Sequence, residues 1–239
     1  MNSFCHSVRT ILAKDLLTEL RAKQVLPTMV ILGVLIAWIF RIVAEPVAVS
    51  SSATAAAVLL LATLFSTILS SERIFAIEQN NSCISALLVS PVEPGDIYIA
   101  KTLASIVMLS IFDAFVVPAV LILFNINIID RLSEFIIALL LLNIGISAVA
   151  TFFACLVQQT KGSNLLLSIL VMVTLCPIMV PATFALLAVL ETANHTGNME
   201  FLHTTISFKT AVGFIAAFDI IFVTICWLLF GIVLTEEPE

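Results

Sequence analysis

Two carboxylates stand inside long apolar runs, Asp113 in IFDAFVVP and Asp219 in AAFDIIFV. A charge at the bilayer centre costs at least ~2.5 kcal/mol on insertion scales, so a carboxyl there faces a bundle interior or a water-filled path. It is either a group that binds a coupling ion or a structural one held neutral or hydrogen-bonded. A coupling carboxylate is lost with its charge, whereas a structural one tolerates Asn and tolerates Leu less well. The segments echo each other, each a Phe-Asp pair followed by Phe-Val; chance or a three-span repeat of inverted topology both produce such an echo. His195 and His203 lie in the polar stretch ETANHTGNMEFLHTTISFKT. As a pair they are candidate haem or metal ligands, but no Cys or carboxylate stands at ligand spacing, and solvated loop histidines are the expectation. Cysteines at 5, 83, 155, 176 and 226 form no C-x-x-C pair. They read as small buried hydrophobes rather than disulfides. No metal site is expected.

The sequence contains no G-x-x-x-x-G-K-[ST] phosphate loop, no H-E-x-x-H and no G-x-S-x-G. The chain is therefore not expected to be an enzyme, and if ATP drives it a partner must supply the hydrolysis. The net charge of −6 comes partly from the tail TEEPE, and no basic cluster suggests nucleic acid.

The elements that carry these residues are set by composition. The chain is 61% hydrophobic and 11% charged, with a mean hydropathy of +1.19. Six apolar runs, at about 25–44, 53–71, 98–125, 135–157, 164–190 and 211–234, approach the ~20 residues that cross a hydrocarbon core. Unpaired backbone groups are too costly in lipid for open strands, so the fold class is all-α: a polytopic membrane protein with six transmembrane helices in a single domain, 1–239. Arg9, Lys14, Arg21, Lys23, Arg73, Lys101 and Lys161 fall on one side of these spans and Arg41, Arg131 and Lys209 on the other. The excess places both termini in the cytoplasm. Residues 1–24 form helix formers without Gly or Pro, but Asp15 and Glu19 break the apolar face; with Lys14 and Arg21 they describe a helix at the inner interface, against lipid and protein. Pro118, Pro177 and Pro181 interrupt spans three and five. Between spans two and three, the 78–91 segment combines Glu78, the spacing Ile84, Leu87, Leu88, and the stop Pro91, which predicts a short amphipathic helix.

Several segments together resemble one family. KDLLTELRAKQVLPTMVILGVL resembles an opening helix running into a first span. LLLATLFSTILSSERIFAIEQNNSCISALLVSPVEPGDIYIAK resembles a second span, a Glu/Arg turn, a short helix ending in Leu-Leu-x-x-Pro-Val and a return Lys. LVQQTKGSNLLLSILVMVTLCPIMVP and IAAFDIIFVTICWLLFGIVLTEE are similar in character to the fourth-to-fifth connection and the last span. The family is haem exporter protein B, the B subunit of bacterial-type cytochrome c maturation. The sequence departs from its pattern at Ser82 or Asn81, one of which stands where Gly is expected, and at Gly231, where an acidic residue is common.

The resemblance implies a permease subunit of an ABC transporter in the inner membrane, with a separate ATPase subunit that binds ATP. It also implies C and D subunits, a haem chaperone, and haem as a handled ligand. Two copies per complex are expected, because six spans are half of a typical ABC translocation unit. By analogy Glu78 through Pro91 would be the coupling helix, with Ile84, Leu87 and Leu88 as its apolar contact on the ATPase. Two other function classes stay open: an ion-coupled secondary transporter using Asp113 and Asp219, and a passive membrane scaffold.

Overall fold

The computed structural model describes residues 8, 9, 12–14, 16, 17, 25–44, 50–80, 94–159, 164–193 and 208–235. Six long helices follow one another: α1 (Val25–Ala44), α2 (Ser51–Asn80), α3 (Pro94–Phe124), α4 (Leu132–Gln159), α5 (Asn164–Ala193) and α6 (Phe208–Thr235), with a 3₁₀ turn at Ile129–Arg131 before α4. Each is long and apolar enough to cross a membrane, and no strand occurs among the described residues. The six apolar runs thus correspond one to one with helices.

The helices are not equally enclosed. In α4, 72% of the span is buried, and in α2, 67%, against 22% in α1 and 17% in α6. Accordingly α4 packs against α2, α3, α5 and α6, while α1 rests on α2 and α3. Small residues decide how closely α1 approaches. Its buried stripe Val25, Met29, Gly33, Ala37 repeats every four residues, and a Cβ at Gly33 would lie 3.0 Å from Phe112 and Val116 on α3. Without a hydrophobic drive between helices in lipid, such close backbone approach is what holds spans together.

Helix ends are tied across the bundle. Asn125 takes a left-handed conformation (φ 54°) after α3, with Ile126 N–H donating to Leu121 O and Asn125 N–H to Ile122 O. This is a Schellman closure with Asn in the place usually held by Gly. The next carbonyl, Leu123 O, accepts from Arg41 Nε at 3.1 Å, so a cation of α1 caps the negative end of α3. Ser52 Oγ likewise donates to Leu190 O, joining the start of α2 to the end of α5. Arg131 and Glu134 pair at 2.7 Å at the start of α4.

Pro118 lies inside α3, and Pro177 and Pro181 inside α5, within the third and fifth runs where the sequence places them. The second apolar run ends at Glu72, close to its expected limit, but α2 continues as helix to Asn80 and carries Glu78 on its last turns. Lys101 does not flank the bundle but is buried in it, 1% exposed, and engaged in an interaction there. At the N-terminus Val8, Arg9, Leu12, Ala13, Lys14, Leu16 and Leu17 are helical; Val8, Leu12 and Leu16 are half-buried, and Lys14 is exposed. Asp15, Glu19 and Arg21 lie outside the described residues, as do Ile84, Leu87, Leu88, Pro91, His195 and His203.

Candidate functional site

Asp113, Asn143 and Asp219 share one level of the bundle. Asp113 stands eleven residues before the end of α3, Asn143 eleven after the start of α4, and Asp219 eleven after the start of α6. At 1.5 Å per residue this is roughly 16 Å from the end of the bundle that carries Arg41, near the middle of a ~30 Å hydrocarbon core. All three are buried.

The two carboxylates meet α4 from opposite sides. Asn143 Nδ2 donates to Asp113 Oδ2 at 2.7 Å, a buried bond between α3 and α4. Two residues further on, Gly145 leaves the space that Asp219 Oδ1 fills; a Cβ there would also lie 2.6 Å from Ile178 Cδ1 of α5. Positions two apart on a helix point roughly 200° apart, so the pair and the notch do not form one pocket. Neither oxygen of Asp219 has a hydrogen-bond partner among the described residues. The echo of α3 and α6 thus sends both carboxylates to α4, whereas an exchange of two three-span halves would send Asp219 to α1.

Asn143 was overlooked in the sequence, although an Asn in LLLLNIGIS is as conspicuous in an apolar run as either Asp. It begins a stripe, Asn143, Ser147, Thr151, repeating every four residues and wholly buried. Facing helices add Thr102 and Ser105 on α3 and Ser66 on α2, also buried. Nearer the opposite end of the bundle, Tyr98 Oη donates to Ala148 O at 3.1 Å and its ring lies 5.2 Å from that of Phe230. That contact joins α3, α4 and α6.

The described residues hold no group of three or more His, Cys, Asp or Glu able to bind a metal. Cys155 and Cys226 are buried as small hydrophobes, but Cys176 is exposed on the outer surface of α5, contrary to that expectation. A side chain at Gly231 would meet nothing within 4 Å, so the glycine there is not required by packing.

No curated protein sequence matches the chain. Residues 6–224, nearly the whole chain and all six spans but the last turns of α6, match the family model described as CcmB protein. The chain belongs to the CcmB family, and is a membrane component of the haem exporter of cytochrome c maturation.

Proposed function

We propose that the chain is the permease subunit of an ABC transporter in cytochrome c maturation, set in the inner membrane with both termini in the cytoplasm. A separate subunit binds and hydrolyses ATP. The family match across the six spans carries this reading. The subunit transmits ATP energy to haem delivery or to release of the haem-loaded chaperone, beside the C and D subunits and in two copies per complex.

The form of α2 supports a coupling role for the segment after it. The apolar span ends at Glu72, and the helix runs eight residues further to Asn80, roughly 12 Å of rigid rod at 1.5 Å per residue. Movement of the segment bearing Ile84, Leu87 and Leu88 would therefore be carried into α2, the second most enclosed span, with Glu78 on the same helix. Pro91, the stop expected from the sequence, precedes the start of α3 at Pro94. Replacing Leu87→Asp should detach the ATPase while leaving membrane insertion intact; unchanged co-purification of the two subunits would remove the coupling role. The mass of the intact complex tests the copy number, and one copy would contradict it. For ion coupling the arrangement offers no shared site, since Asp113 and Asp219 lie on opposite sides of α4.

A further inference from the structure

Six buried polar atoms on three adjoining helices have no hydrogen-bond partner among the described residues: Ser66 Oγ, Thr102 Oγ1, Ser105 Oγ, Asn143 Oδ1, Ser147 Oγ and Thr151 Oγ1. None of these residues is more than 7% exposed. Elsewhere in the bundle hydroxyls satisfy themselves locally. Thr63, Thr67, Ser71, Ser110, Thr183 and Thr224 each donate to the carbonyl four residues back. These six do not; they lie on α2, α3 and α4, which pack against one another in all three pairings, and the only other unpartnered buried side-chain atoms among the described residues are the two oxygens of Asp219 on α6.

Two bonds clamp α3 to α4, Asn143 to Asp113 at mid-depth and Tyr98 to Ala148 O nearer the end that holds Lys101. Thr102 and Ser105 lie on α3 between the clamps, and Ser147 lies on α4 between them. Thr151 continues the α4 stripe one turn further. Asn143 spends its amide N–H on Asp113 and so presents an acceptor, Oδ1, to the same interface. An unpaired buried polar group costs about 1–3 kcal/mol, and buried water, which makes about three bonds, is the usual partner of such groups.

We propose that this seam binds a file of ordered water reaching from Thr102 and Thr151 to the Asp113–Asn143 pair. A proton or small hydrophilic solute from the Lys101 end then reaches mid-bilayer inside one copy of the chain. The seam does not depend on any ATPase, so it stands or falls separately from the proposed coupling. Asp219 lies outside it, against Gly145 and Ile178.

The test is thiol accessibility in the full complex, with the five native cysteines replaced and Ser105→Cys, Ser147→Cys or Thr151→Cys introduced singly. A membrane-impermeant methanethiosulfonate reacts with a thiolate, which forms only where water solvates it. Reaction from the Lys101 side should run about tenfold or more faster than at Ile225→Cys, a lipid-facing site 45% exposed on α6. Rates equal to that control, or reaction only from the Arg41 side, would overturn the proposal. Should the cysteine-free chain fail to accumulate, hydroxyl-radical labelling of the unaltered chain decides instead. Tyr98 should then be oxidised well above Phe135, an equally buried aromatic residue, and labelling no higher than Phe135 overturns it.

Discussion

Asp113 and Asp219 lie at one depth and touch one helix, yet their surroundings differ in kind. Asp113 faces an amide that donates to it and adjoins a stripe of buried hydroxyls. Asp219 faces the bare backbone of Gly145 and the methyl end of Ile178, with no partner for either oxygen among the described residues. The same residue type is therefore part of a polar network on one side of α4 and a shape in an apolar notch on the other. Membrane insertion penalises both alike, but only the first is offset by a bond, and interhelical bonds of this kind average about 0.6 kcal/mol in membranes.

The largest effect should follow from Asn143→Leu. It leaves the buried Asp113 carboxyl without its donor, a loss of about 1–3 kcal/mol. The double variant Asp113→Leu with Asn143→Leu removes both partners and should recover most of that loss. Unfolding of the purified chain in detergent measures both; an equal loss in single and double variants would mean the bond is not what distinguishes this side.

On the other side, Gly145→Ala puts a methyl group onto Asp219 Oδ1 and against Ile178. Both are ends of side chains able to turn aside, so about 1–2 kcal/mol is expected, the lower part of the range for overpacking. Adding Asp219→Ala should relieve it. Simple additivity of the two changes, measured by thermal unfolding, would show that the carboxyl does not fill the notch.

The smallest effect should be at Asp219 itself. Asp219→Leu removes two unpartnered oxygens without losing a bond and is expected to leave stability unchanged or to raise it. Asp113→Leu, by contrast, should destabilise, while Asp113→Asn should be tolerated because it keeps an acceptor and offers an N–H toward Asn143 Oδ1. This restricts the sequence-based preference for Asn over Leu to the α3 site. Complementation of cytochrome c maturation gives the functional side. Near-normal holocytochrome with Asp219→Asn fits a structural carboxyl, and loss at normal protein levels would restore the coupling-ion reading.

Composition and run length alone determined that the chain is helical, polytopic and six-spanned, because in lipid every backbone group must be bonded within its own segment. The first run, 25–44, even coincides with α1. Boundaries were legible only where apolarity itself stops. Helix α2 outlasts its apolar stretch, since residues 73–80 remain good helix formers beyond the membrane's edge, and Pro118, Pro177 and Pro181 sit inside helices because one missing N–H does not end a helix held by its neighbours. The two carboxylates were visible for the same reason, as charges where charge is expensive. Which surfaces they meet was not, because that depends on how far apart in sequence the touching residues lie: Asn143 is thirty positions from Asp113. Tertiary packing alone turned Lys101 inward, placed Arg41 on the end of α3, and set Asp113 and Asp219 on opposite sides of α4. Periodicity fixes which face a residue occupies on its own helix, but only the crossing of helices decides what that face touches.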